Sequence, residues 1–240
     1  MKIVTWNCSM AFREKIQYIL PFEADIIIVP ECEAPDKWNK STYKDRIQQF
    51  LWFGTNQNKG LGIFTLNNKY SVEVHPMYST EFRYIVPLIV RGEEDFILLA
   101  VWTQNNKAGY LSYIGQLFMA LQYYSPLLIN QPCMIAGDWN SSKNFDSKKR
   151  VGNHTETVNM LEQLHIHSMY HQHYAENQGL ESTPTHYFRK KKESPFHIDY
   201  IFASEYFSKR NIHMHVGEYE QWIKQSDHMP MITEFKDKPS

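Results

Sequence analysis

The chain has 240 residues, 42% of them hydrophobic and 15% aromatic, enough for a sizeable core, which excludes a disordered chain. Its formal net charge is −1, so no overall field draws it to nucleic acid and any polyanion site must be local. Cys8, Cys32 and Cys133 show no Cys-x-x-Cys spacing, which excludes a zinc knuckle or disulfide framework and leaves a reduced, cytoplasmic setting as the expectation.

Residues 2–7 read as a first strand, without the long apolar core of a signal peptide. Residues 9–20 read as a short helix, with Ser9 as its cap and Phe12, Ile16, Ile19 and Leu20 as its apolar stripe, stopped by Pro21. Residues 24–30 form a continuous apolar run that fits a strand buried on both faces, with Glu31 just past its end. A second helix is expected over 38–50, then strands over 51–55, 60–66, 70–77, 82–91 and 95–103, separated by turn signals such as Asn67-Asn68 and Gly92-Glu93-Glu94. Residues 108–129 carry no charge, but Ser112, Gln116, Gln122, Ser125 and Pro126 interrupt them. They therefore read as a helix packed on a sheet, not as a membrane span. Another helix is expected over 153–164, with short strands near 168–171, 185–188, 197–203, 211–216 and 229–235. No linker, repeat or low-complexity tract divides the chain, so a single domain over residues 1–240, monomeric by default, is expected. Some neighbouring strands are close enough for hairpins and others are joined through helices. That pattern indicates an α/β fold of mixed sheets with helices on their faces.

Four apolar strands end in acids or amides. The first ends in Asn7, the second in Glu31, and the third in Gly137-Asp138-Trp139-Asn140. The fourth, His197-Ile198-Asp199-Tyr200, holds a carboxylate inside an otherwise apolar run, which is costly unless it is partnered. Ser226-Asp227-His228-Met229-Pro230 precedes the last strand. The period of two puts Asp138 and Asn140 on one side of a strand end, where open α/β sheets place ligands.

With Thr5-Trp6-Asn7, Pro30-Glu31, Gly60-Leu61-Gly62-Ile63 and Ser182-Thr183-Pro184-Thr185, these stretches resemble, in order, the endonuclease/exonuclease/phosphatase (DNase I-like) superfamily. That group includes DNase I-like nucleases, abasic-site endonucleases, inositol-polyphosphate phosphatases and sphingomyelinases. The resemblance implies a four-layered α/β sandwich of two packed mixed sheets. It also implies roles by position. Glu31 matches the principal Mg²⁺ or Mn²⁺ ligand, with Asn7 and Asp227 beside it. Asp138 and Asn140 match the pair that positions the attacking water at the phosphate. His228 matches the catalytic histidine and Asp199 the aspartate that orients it.

The chemistry of the residue types agrees. Hard carboxylate ligands suit Mg²⁺ or Mn²⁺, and a carboxylate beside a histidine favours the protonated ring. The sequence leaves the family pattern after residues 97–101. Members carry a phosphate-contacting His or Tyr there, whereas this chain has Trp102-Thr103-Gln104-Asn105. Trp can donate one hydrogen bond but cannot accept a proton, so Thr103 or a neighbour takes that contact. Arg83 is a candidate second phosphate cation, and Lys190 and Lys191 in a basic loop are candidate backbone contacts. His165, His167, His171 and His173 read as strand alternation and a polar loop, not a zinc cluster. The expectation is a Mg²⁺- or Mn²⁺-dependent phosphodiesterase acting on nucleic acid, foremost DNA. The alternatives are a phosphatase of a small phosphomonoester, inositol phosphate or lipid phosphate, and an inactive binding module on the same fold.

Overall fold

The computed structural model describes residues 1–105, 112–147 and 150–236. In chain order the strands are β1 (Lys2–Thr5), β2 (Ile26–Cys32), β3 (Gln49–Asn56), β4 (Lys59–Thr65), β5 (Tyr70–Val74), β6 (Ile85–Gly92), β7 (Phe96–Trp102), β8 (Cys133–Asp138), β9 (Ile166–Ser168), β10 (His186–Tyr187), β11 (Pro195–Phe196), β12 (Asp199–Ser204), β13 (Asn211–Val216) and β14 (Met231–Lys236). One six-stranded sheet has the order β13-β14-β1-β2-β4-β3, a second has the order β5-β6-β7-β8-β12-β9, and β10 and β11 form a small separate hairpin. β1 and β2 are parallel, as are β7 and β8, and the other pairs are antiparallel.

The alternation of side chains explains the layering. Met134 and Ala136 of β8, with Ile201 and Ala203 of β12, join Ile27, Val29 and Ile63 in one core between the sheets. Cys133, Ile135, Tyr200 and Phe202 join Leu99 and Val101 in a second core under α2 (Ile114–Tyr124) and α3 (His154–Gln163). The result is the expected α/β sandwich of two packed mixed sheets flanked by helices. Among the described residues no helix is long and apolar enough to cross a membrane. Of the uncharged run 108–129, residues 108–111 lie outside the described residues, and Ile114–Tyr124 is a helix that buries Leu117, Ala120 and Leu121.

Gly137 is fixed by its surroundings. Its φ is +146°, and a Cβ there would sit 1.8 Å from the Val101 carbonyl oxygen. Only glycine lets β8 approach β7 this closely, and the next residue along β8 is Asp138.

Three expected elements differ. Ser9 does not cap a helix over 9–20, because Ser9, Met10 and Ala11 all adopt left-handed φ of 51°, 67° and 52°. The helix is only Phe12–Lys15, and the buried Glu33 carboxylate caps it from another segment, accepting from the Phe12 and Arg13 amides at 2.7 and 2.8 Å. Residues 38–50 hold two 3₁₀ turns, Pro35–Lys40 and Lys44–Arg46, followed by β3. Trp38 packs there against Phe12, Phe50 and Phe64, a tertiary contact that local propensity does not encode. Residues 168–171 are not a strand. β9 ends at Ser168, whose side chain accepts from the His171 amide and starts α4 (Met169–Tyr174).

His197, fully enclosed between the rings of Tyr170 and Tyr200 at 4.3 and 5.1 Å, gives the fold an acid-sensitive point. Burial holds its pKa down at about 4. A histidine depressed on folding contributes stability that is present above its unfolded pKa and lost as pH falls through the folded one. Burial of Asp138 acts in the opposite direction, so the clean readout is a difference between variants. Between pH 7 and pH 4 the wild type should lose about 3 kcal/mol more stability than His197→Gln. Urea unfolding at the two pH values checks this, and identical pH dependence in the two proteins would contradict it.

Candidate active site

The register of the second sheet creates the site. Asp138 of β8 pairs directly with Asp199 of β12, and in the parallel direction with Trp102 of β7. Both carboxylates lie on the inter-sheet side, in step with Ala136 and Ile201. Like charges in directly opposed positions repel, so both need polar partners, and the first sheet supplies one. The Asn7 amide, just past β1, donates to Asp138 Oδ2 at 2.9 Å. Asn140 donates its own amide to the same oxygen at 2.9 Å and its backbone N–H to Oδ1 at 2.8 Å. Asn140 adopts a left-handed φ of 47°, a conformation asparagine tolerates, and this turns its side chain back onto Asp138.

On the opposite side, His228 Nδ1 donates to Asp199 Oδ2 at 2.8 Å. The Asp199 amide donates to Thr185 Oγ1 at 3.0 Å. Ser226 Oγ donates to the Asn7 carbonyl at 2.7 Å and accepts from the His228 amide at 3.0 Å, while Trp6 Nε1 donates to the His228 carbonyl at 2.9 Å. Ligating atoms of Asp138, Asp199 and His228 lie within 4.8 Å of one another. Burial, then the neighbouring Asp199, raises the Asp138 pKa. Burial disfavours charge on His228, but Asp199 and Asp138 outweigh it and hold the ring protonated.

The other candidates are placed as follows. Glu31 sits at a β-bulge between Pro30 and Cys32 with φ 62°, which swings its carboxylate out of the strand to pair with Lys59 at 2.9 Å. Bulges beside functional sites re-aim side chains in this way. Asp227 faces His186 at 3.7 Å, and its pKa is about 2 because His186 and the charged His228 outweigh its burial. Trp102 is buried and packs against Tyr84 with ring centroids 4.8 Å apart and planes tilted by 48°. Thr103 is also buried, donating from its hydroxyl to the Trp139 carbonyl at 2.5 Å. Arg83 is not on a strand. It follows the 3₁₀ turn Thr80–Phe82 and lies 5.9 Å from the Tyr84 ring. Lys190 and Lys191 are exposed at the tip joining β10 to β11, where Arg189 and Lys190 are left-handed. The histidine run divides: ligating atoms of His165, His167 and Glu205 lie within 4.8 Å of one another, while His171 and His173 have other partners. His167 pairs with Glu162, His171 with Glu181, and His173 packs on Tyr174. The Cys8 and Cys32 thiols are buried and their pKa values raised by that burial, which leaves them unreactive.

Lys59 and His186 were not singled out from the sequence. His186 lies with its ring 4.5 Å from that of His228. The contact of Lys59 with Glu31 depends on a bulge that no local pattern announces. A cavity of about 290 Å³ opens beside Asn140 and His186, walled by Phe145, Phe196 and Ile198 and bearing Arg150.

The residues fit a hard divalent cation. Asp199 Oδ1 is buried without a hydrogen-bond donor, and Glu31, swung out at a β-bulge, and the half-buried Asp227 are hard carboxylate donors.

No match was found among curated protein sequences. Among solved structures, the chain resembles the 3′-5′ exonuclease NExo from Neisseria meningitidis with a TM-score of 0.73, at 17% identity over 99% of this chain and 100% of that one. It resembles an AP endonuclease from Archaeoglobus fulgidus with a TM-score of 0.73, at 16% identity over 99% and 100%. It resembles the AP endonuclease LMAP from Leishmania major with a TM-score of 0.69, at 11% identity over 98% and 87%. At these identities the likeness shows the DNase I-like fold. The sequence model of the Endonuclease/Exonuclease/phosphatase family matches residues 4–228, a span that holds every residue of the Asn7–Asp138–Asp199–His228 cluster, and the chain belongs to that family.

Proposed function

We propose that the chain is a Mg²⁺- or Mn²⁺-dependent phosphodiesterase that hydrolyses nucleic acid, foremost DNA, as a monomeric single-domain enzyme of a reducing compartment such as the cytoplasm. The observation that carries this reading is the buried cluster in which two asparagine amides hold Asp138 beside a His228 ring fixed by Asp199.

Each group has a role that follows from its partners. Asp138 has a raised proton affinity, suited to orienting a water molecule and taking its proton, an effect worth about 10²–10⁴-fold in rate. Asn7 and Asn140 fix the carboxylate so that no rearrangement is needed during reaction. The imidazolium of His228 hydrogen-bonds a non-bridging phosphoryl oxygen, where negative charge accumulates. Glu31, with Asn7 and Asp227, would hold the cation, which supplies charge neutralisation at the phosphoryl and leaving oxygens. Lys190 and Lys191 at the hairpin tip offer sequence-independent contacts to a phosphate backbone, and Arg83 offers another. Thr103 acts by positioning Trp139 and the turn that carries Asn140, to which it also presents its carbonyl at 3.1 Å. Trp102 acts as the buried wall beside Asp138. The apolar cavity next to Asn140 favours a substrate with a sugar or base beside its phosphate over a bare inositol phosphate.

Incubation with double-stranded, single-stranded and abasic DNA, RNA and a panel of small phosphomonoesters, with Mg²⁺, Mn²⁺ or EDTA, tests the proposal. EDTA-sensitive cleavage of at least one DNA is expected. Phosphate release from the small esters with every DNA left intact would replace this reading with that of a phosphatase.

A further inference from the structure

Lys59 pairs with a proposed ligand that stands apart from the buried cluster. Its ammonium lies 2.9 Å from Glu31 Oε1 and 5.4 Å from the centroid of the Trp102 ring. Trp102 is in register with Asp138 on the neighbouring strand, at the place where the sequence leaves the family pattern. The lysine's backbone position is fixed on both sides. Lys59 opens β4 opposite Asn56, and Gly60 pairs with both Cys32 and Gly54. A Cβ on Gly60 would come within 2.5 Å of the Phe53 carbonyl oxygen, so the strands pack too closely there for a side chain. The side chain itself is free to move, being 40% exposed against 19% for Glu31. A cation on a flexible stem therefore neutralises a carboxylate held out by a bulge, against the face of a buried indole. Cations are attracted to such a face.

We propose that Lys59 is an exchangeable internal counter-ion of Glu31: it occupies the carboxylate while no divalent cation is present, and once released it becomes the cation that meets the substrate phosphate in place of the family's mid-chain His or Tyr. This inference rests on the metal-dependent reading above. Glu31 can serve a divalent cation fully only after giving up Lys59, so the ammonium and the metal compete. Release leaves an unpaired ammonium over the Trp102 ring, so phosphate and metal should each strengthen the binding of the other, as linkage requires. Lys59 is thus a positioning group for Glu31 in one state and a phosphate contact in the other.

Equilibrium Mn²⁺ titration by calorimetry, without substrate, reads the first half directly. Lys59→Met should bind Mn²⁺ about three- to tenfold more tightly than wild type, the scale of a partly exposed ion pair, and Lys59→Arg should not. The second half is read as DNA affinity in Ca²⁺, a divalent oxygen-seeking ion. The slope of log affinity against log salt should fall by about one in Lys59→Met, the signature of one lost phosphate contact. Thermal unfolding confirms that both variants are folded. Unchanged or weaker Mn²⁺ binding in Lys59→Met, or an unchanged salt slope, would overturn the inference. If wild type cleaves DNA in Mn²⁺ while Lys59→Met behaves identically in both titrations, only the role of Lys59 fails. If wild type neither binds Mn²⁺ nor cleaves DNA, the metal-dependent reading fails and this inference fails with it.

Discussion

Asp138→Asn is expected to cut phosphodiester cleavage by about 10³-fold or more while leaving the protein at least as stable as wild type at pH 7. The rate prediction comes from removing the group that orients and deprotonates water. The stability prediction comes from the register. Asp138 is fully buried and directly opposite Asp199, and its raised pKa means that ionising it in the folded state is unfavourable. An amide of the same shape keeps the acceptor for the Asn140 backbone and removes the like-charge repulsion, which offsets the loss of the acceptor that Oδ2 gave to the Asn7 and Asn140 side chains. Loss of activity without loss of stability marks a group retained for chemistry at a cost to the fold. Initial rates and urea midpoints of purified wild type and variant check it. A variant within tenfold of wild type, or one that unfolds, would contradict the role assigned to Asp138.

His228→Ala should lower activity by a similar factor, about 10²–10⁴-fold, with the opposite effect on stability. Asp199 is buried, its Oδ1 already lacks a donor, and its Oδ2 is satisfied by His228. Removing one partner of a buried charged pair leaves the other uncompensated, at a cost of about 3–5 kcal/mol. The urea midpoint should therefore fall clearly in His228→Ala and stay or rise in Asp138→Asn, although both are nearly inactive. Because both groups act on the same step, the double variant should be little slower than the worse single variant. Multiplicative losses in rate would show that the two act independently.

Much of this architecture was legible before any coordinates. Asn7, Glu31 and Asp138 stand where apolar runs stop and Asp199 opens one, and the structure brings together the hydrogen-bonded groups Asn7–Asp138–Asn140 and Asp199–His228. The sheets were legible because buried strands announce themselves by composition and period. The short helix at Phe12 was harder to place, because its cap is Glu33, a residue 21 positions away. Local pattern reading sees only caps that are adjacent in sequence. The segment around Trp38 failed for a related reason. Its conformation is set by packing on Phe12, Phe50 and Phe64, and such contacts override weak helical preference.

The sequence also could not show how Glu31 is used. Its place after an apolar run is visible, but the bulge and the positive φ that turn it towards Lys59 arise from the pairing of β2 with β4. Strained positions of this kind are where local reasoning is expected to fail at a functional site. Trp102 is similar. The departure from the family pattern is readable, whereas its burial beside Tyr84 and beneath Lys59 requires the packed sheets.

Attack of a water held at Asp138 on a phosphate is read out by single-turnover cleavage of a cleavable DNA in ¹⁸O-enriched water with Mg²⁺ or Mn²⁺, followed by mass analysis of the product phosphate. One solvent oxygen is expected in each product phosphate from the first turnover in wild type, and no product on the same timescale from Asp138→Asn. A first-turnover phosphate without solvent label, or labelled product formed equally fast by Asp138→Asn, would contradict it.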